Sequence, residues 1–278
     1  MRGNVLEMLF FGLISGVAEV LPISAPAHQF LLSYFCGFDG HDPLLLLCVH
    51  SAVLLALIIS CRQKIAHLYR ENRIASIKRG RRKRQPDMAA VADWKLLSAA
   101  LVPIIVGLLL HNALSEKLEA LWILSILLVI NGIMLYIPQY MDIGNRDARH
   151  LSRVDGLTMG ALAAIGVLPG ISRITAILLL GKIRRGNRAY ILDAALLLSI
   201  FWLVGLIVLD IVSAFGVAIA QIQMAHTIGY LLAAVAAFGG AFGSVALARY
   251  LAVRIGFSSF TYYCWGLGFV CFILYLMI

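Results

Sequence analysis

Gly16-Val17-Ala18-Glu19-Val20-Leu21-Pro22-Ile23-Ser24-Ala25-Pro26-Ala27-His28 puts an acid, two prolines, a serine and a histidine into sequence otherwise apolar enough to sit in lipid. About half a chain later a partial echo returns as Val167-Leu168-Pro169-Gly170-Ile171-Ser172-Arg173. The first stretch predicts a helix over 4–22 that ends or kinks at Pro22, whose ring removes an amide donor and crowds the preceding turn. A second, short helix is expected over 24–35. Roughly a dozen residues at 1.5 Å rise fall well short of about 30 Å of hydrocarbon, so the pair reads as a re-entrant hairpin rather than two spans. Non-helical backbone at such depth is tolerated only inside protein or beside a polar cavity, which places the hairpin tip in a wet interior.

The surrounding composition agrees. The chain has 278 residues, 62% hydrophobic and only 13% charged, with a mean hydropathy of +0.92, which is too little polar surface for a soluble globule. Spans are expected near 44–61, 95–113, 120–140, 190–212, 225–250 and 258–278, and the absence of polar–apolar alternation excludes a barrel. The fold class is an all-α polytopic membrane protein. The net charge of +9 is concentrated in connections. Arg62, Lys64, Arg70, Arg73, Lys78, Arg79, Arg81, Arg82, Lys83 and Arg84 crowd 62–94, which is expected to be cytoplasmic and partly disordered. Only Tyr69 interleaves them, so no nucleic-acid partner is expected. Cys36, Cys48, Cys61, Cys264 and Cys271 lack CxxC spacing and read as small packing residues. The apolar start is interrupted by Glu7 and Glu19 and shows no cleavage site, so it is expected to stay in the mature protein.

With 62–94 inside, three spans place 1–40 and the short loop 115–119 outside and 141–153 inside. A second hairpin over 154–185 then enters from the cytoplasm and leaves Lys182, Arg184, Arg185 and Arg188 there. Both termini fall outside. The broken segments enter from opposite faces and meet near the middle, as in an inverted-topology repeat with halves 1–140 and 154–278 of one membrane domain. Gly229, Gly239, Gly240 and Gly243 suit close helix packing within the monomer or a homodimer face alike.

Glu19 is the sharpest single signal, because a carboxylate deep in a span costs on the order of 2.5–3.5 kcal/mol and defaults to function. Ser24 and His28 stand four residues apart, where a nucleophile and its base, or two donors to one phosphate, share a helix face. Ser172-Arg173 follows the second break, and a guanidinium beside a helix start suits phosphate oxygens. An acid, a histidine, hydroxyls and one arginine in a membrane suit an anionic headgroup on a hydrophobic tail.

These motifs resemble those of the undecaprenyl-pyrophosphate phosphatase family, the bacterial bacitracin-resistance proteins. Its first motif reads roughly E-G-x-T-E-F-L-P-[VI]-S-S-T-G-H and its second P-G-x-S-R-S-G-x-T. Gly16, Glu19, Leu21, Pro22, Ile23, Ser24 and His28 match the first, and Pro169, Gly170, Ser172 and Arg173 the second. The departures are Ser15 for the first acid, Ala25 for the second serine, Pro26 and Ala27 for Thr-Gly, Ile174, Thr175 and Ile177 in the second motif, and His50 for a glutamine. The resemblance implies six full spans plus two re-entrant hairpins in the bacterial inner membrane. It implies catalytic Glu19, His28 and Ser24; a phosphate subsite of Arg173, Ser172, Gly170 and Thr175; accessory roles for Ser15 and His50; and a divalent cation, Mg2+ or Ca2+, held at Glu19.

Ala25 cannot attack phosphorus, which leaves Ser24, His28 or a water activated by Glu19 as nucleophile. Three readings stay open on these residues. The chain removes the terminal phosphate of a polyprenyl pyrophosphate during envelope lipid-carrier recycling; or it carries the lipid phosphate across the membrane without hydrolysis; or it is a binding subunit on the same fold.

Overall fold

The computed structural model describes residues 4–37, 40–78, 81, 84–142, 144–216 and 224–277. Expectations that fall on Met1, Phe38, Asp39, Arg79, Arg82, Lys83 and Ile278 therefore lie outside the described residues. These described residues form ten α-helices in order: α1 (Val5–Val20), α2 (Ala25–Cys36), α3 (Pro43–Ser76), α4 (Met88–Leu118), α5 (Leu121–Tyr136), α6 (Arg153–Ile165), α7 (Arg173–Ile183), α8 (Arg188–Gly216), α9 (Met224–Arg254) and α10 (Ser259–Met277). Among the described residues six segments are long and apolar enough to cross a membrane, namely α3, α4, α5 with its 3-10 extension to Tyr140, α8, α9 and α10.

The remaining four helices are short. At 16, 12, 13 and 11 residues, α1, α2, α6 and α7 reach only about 17–24 Å at 1.5 Å per residue. Each pair is separated by a break containing proline. Asn4 caps α1 and Ser152 caps α6, in both cases with an acid at the third helical position closing a capping box.

The basic segment departs from expectation. Rather than a partly disordered stretch over 62–94, α3 runs on to Ser76 and α4 begins at Met88. Arg, Lys, Gln and Glu are good helix formers, so a span can continue into water as helix. At 34 residues α3 is about 51 Å long. The end is tied down by buried Glu71, which accepts from Arg84 Nη2 at 2.5 Å and the Asp87 amide at 3.0 Å. The loop expected at 115–119 likewise shrinks, because α4 continues to Leu118.

Glycines decide how the short helices seat. A Cβ on Gly12 or Gly16 would strike the main chain of Ala233 or Ala237, so α1 lies directly on α9. A Cβ on Gly156 or Gly160 would strike the main chain of Leu96 or Ala100, so α6 lies on α4 in the same way. The spacing is shared, Gly12-Leu13-Ile14-Ser15-Gly16 against Gly156-Leu157-Thr158-Met159-Gly160. In α9, Gly229 and Gly240 pack within the chain against Met8 and Leu13, whereas Gly239 and Gly243 face open space. Cys61, Cys264 and Cys271 are buried and unbridged, as packing residues would be, whereas Cys48 is half-buried and Cys36 is exposed at the end of α2 and packs against nothing that would hide it.

Candidate functional site

The two breaks touch each other. Ser24, forced to φ 66° at the entry to α2, turns its hydroxyl to accept the Gly170 amide at 3.0 Å. A non-glycine residue in that region costs on the order of 1–3 kcal/mol, and here the contact across the breaks holds it. Gly170 itself sits at φ 115°, and a Cβ there would run into Leu127 and the Leu128 amide.

The turn that follows α1 leaves the Pro22 carbonyl free, and side chains of α5 and α7 donate to it. Thr175 Oγ1 donates to Pro22 O at 3.1 Å and Asn131 Nδ2 donates to it at 3.0 Å. The other end of the same Asn131 amide accepts the Ser172 N–H at 2.9 Å. One fully buried side chain on α5 therefore satisfies backbone from both breaks.

Beside this junction Arg173 Nη2 donates to Glu19 Oε2, an ion pair buried at 6% and 2% side-chain exposure. The guanidinium lies over the Trp202 ring of α8, 5.1 Å from its centroid, a cation–π contact in a dry setting. A cavity of about 80 Å³ opens next to the pair, lined by Glu19, Arg173, Trp202, His50, His111 and Asp210, and leads toward His41 and Glu119, which are 2.8 Å apart.

The structure thus brings together Glu19, Arg173, Ser24, Gly170, Ser172 and Thr175. His50 lines the cavity and pairs with Asp210 at 2.7 Å. Ser15 is buried in α1, where its hydroxyl accepts from Gln29 Nε2 at 3.3 Å. His28 is placed differently from the shared-face reading. Its Nδ1 meets the Ser24 carbonyl at 2.8 Å rather than the hydroxyl, and its Nε2 meets Tyr263 Oη at 2.6 Å. Asn131, His111, Trp202 and Asp210 did not stand out in the sequence. A polar residue inside an apolar span was their signal, and it applies to each of the first, second and fourth.

A larger cavity of about 320 Å³, lined among others by Lys182, Arg188 and Ser258, holds none of the expected site residues. Neither do the residues present fit a resident cation. Glu19 is a single carboxylate committed to an arginine, Ser15 supplies only a hydroxyl, and among the described residues no three His, Cys, Asp or Glu side chains converge as ligands.

The family model for the bacitracin resistance protein BacA matches residues 8–270. The chain belongs to the BacA family. Similar proteins named undecaprenyl-diphosphatase occur in Marinobacter nauticus, 30% identical over 65% of this chain and 68% of that protein, and in a Nocardioides species, 24% identical over 73% of each. Saccharophagus degradans has another of that name, 29% identical over 64% of this chain and 66% of its own length. With six apolar helices of spanning length, this BacA chain is a multi-pass membrane protein. Both breaks and the Glu19–Arg173 pair lie inside the BacA match.

Proposed function

We propose that the chain hydrolyses the terminal phosphate from a polyprenyl pyrophosphate at the outer face of the bacterial inner membrane, returning the lipid monophosphate to cell-envelope synthesis. The observation that carries this reading is the buried Glu19–Arg173 pair at the meeting point of the two breaks, beside a cavity. A terminal phosphate entering that cavity takes the guanidinium from Glu19, and the released carboxylate accepts a proton from the attacking water. Arg173 and the Ser172–Arg173 end of α7 hold the phosphate oxygens. Ser24, Gly170, Thr175 and Asn131 keep the two breaks in register, and His28 anchors the first against Tyr263. The names of the relatives weigh toward hydrolysis, and carriage alone would give Glu19 no task.

The same reading makes α1–α2 and α6–α7 re-entrant hairpins within one domain of two inverted halves, 1–140 and 154–278. In its support, the first helix of each half lies on the fourth helix of the other, α1 on α9 and α6 on α4, through the same Gly-Leu-x-x-Gly spacing. The basic residues of 62–94, 141–153 and 182–188 then stand in the cytoplasm, and the cavity mouth at His41 and Glu119 stands outside with both termini.

Purified protein in detergent with magnesium or calcium is expected to release phosphate from farnesyl pyrophosphate. Glu19→Gln should lower kcat roughly 10²- to 10⁴-fold, as loss of a positioned base does. Arg173→Lys should lower kcat/KM by roughly 10²-fold, because a lysine offers no planar fork. Background release by the wild type, or full activity in Glu19→Gln, overturns the reading. Activity appearing only in Ser15→Glu and Ala25→Ser variants would show that motif drift has removed hydrolysis.

A further inference from the structure

The cavity beside Glu19 and Arg173 has a second polar wall. His50 on α3 donates from Nδ1 to Asp210 Oδ2 on α8 at 2.7 Å, both side chains buried. Among the described residues nothing takes His50 Nε2. The carboxylate therefore fixes one tautomer and the direction of the ring, as an orienting acid does for a proton-transfer histidine.

His111 of α4 completes the wall. Its Nδ1 is buried without a hydrogen-bond partner, and so is Arg173 Nε. The imidazole meets Trp202 edge-on, 6.2 Å between centroids, while Arg173 covers the face of the same indole. His111, His50, Asp210, Arg173 and Glu19 all line this one cavity. Two orphaned polar atoms on its lining mark a place built for a polar ligand.

His28, in contrast, has both ring nitrogens engaged and lies stacked on Tyr263 with centroids 5.8 Å apart. It does not line this cavity. His50 occupies a position where the resemblance has glutamine, a side chain that cannot give up a proton at neutral pH.

We propose that His50, oriented by Asp210, is the proton donor to the bridging oxygen of the pyrophosphate, with His111 as a ligand to the inner phosphate; this rests on the phosphatase reading above. In the step, a water oxygen bonds to the terminal phosphorus and its proton passes to Glu19. The bond from that phosphorus to the bridging oxygen breaks, the electron pair stays on that oxygen, and His50, entering the step as the imidazolium, gives it the Nε2 proton while keeping Nδ1–H on Asp210. Inorganic phosphate and the lipid monophosphate leave, and the proton on Glu19 returns to His50 through water. A proton delivered there neutralises charge on the leaving phosphate, a task for which Ser15 leaves a cation one carboxylate short.

The test follows phosphate release from farnesyl pyrophosphate by the full-length protein in detergent, across about pH 5–9, the range in which a histidine changes charge. The groups around His50 that also titrate or carry charge are Asp210, His111, Arg173 and Glu19, with His41 and Glu119 farther along the cavity. Wild-type kcat is expected to fall on the alkaline side. His50→Gln should lower kcat by roughly 10²-fold, keep KM within about threefold and flatten the alkaline limb. Asp210→Asn should act in the same direction, and it carries the test if His50→Gln does not fold by size-exclusion profile. His28→Gln should keep the limb. An active wild type whose limb and kcat survive both His50→Gln and Asp210→Asn overturns the dyad alone. A limb lost in His28→Gln and kept in His50→Gln does so too. A silent wild type overturns the phosphatase reading and this inference with it.

Discussion

Asn131 is the residue on which the two breaks depend most evenly. Its amide donates to Pro22 O and accepts from the Ser172 N–H, so a leucine of similar size would strand the Ser172 N–H in a fully buried place and leave Pro22 O with Thr175 as its donor. Each buried group left unpaired costs about 1–3 kcal/mol. Asn131→Leu is therefore expected to lower the thermal midpoint in detergent and to reduce phosphate release, while Asn131→Asp keeps the acceptor and loses only the donor. Equal midpoints for wild type and Asn131→Leu would show that the amide bridges nothing. Glu19 and Arg173 were legible in the sequence, because a charge in apolar surroundings announces its own cost. Asn131, His111 and Asp210 are polar residues of the same kind, but their meaning depends on partners 41 to 160 positions away. Spacing along one chain does not carry that information. The hydroxyl of Ser24 was legible as a site feature, and its partner, the Gly170 amide, was not.

At the level of elements, the breaks at Pro22 and Pro169-Gly170 were readable because proline and short helix length are local facts. The pairing of α1 with α9 and of α6 with α4 was not, although the twin Gly-Leu-x-x-Gly spacing was present to be seen. Those glycines meet backbone rather than movable side chains, so even a methyl group forces the helices apart. Gly16→Ala and Gly160→Ala should each cost roughly 1–3 kcal/mol, the usual penalty of overpacking. Gly239→Ala, on the same α9 but facing open space, should leave the thermal midpoint where it is. If all three behave alike, the seating of α1 and α6 is not what these glycines serve. The extension of α3 to Ser76 was missed for a simpler reason: charge was taken as a mark of irregular structure, whereas arginine and lysine propagate a helix well.

For the whole molecule, the six spans followed from hydropathy, and the proposed orientation rests on where the basic residues lie. Exposed Cys36 stands at the end of α2 and exposed Ser76 at the far end of α3. An impermeant maleimide should label Cys36 in intact spheroplasts, and should label a Cys36→Ser, Ser76→Cys variant only after permeabilisation; the opposite pattern would invert the topology. The crossing of helices between the two halves also bears on how the chain is made. Gly12 emerges from the ribosome some 221 residues before Ala233, against which it packs. At about 5–20 residues per second that is a wait of roughly 10–45 s. Throughout it α1 lacks its seat; Glu19 is made 154 positions before Arg173, and the Pro22 carbonyl 109 positions before Asn131 and 153 before Thr175. On the proposed re-entrant reading, α1 and α2 need shelter through most of synthesis, in the insertion machinery or at the polar interface, and settle to their final depth only when α9 arrives to receive them.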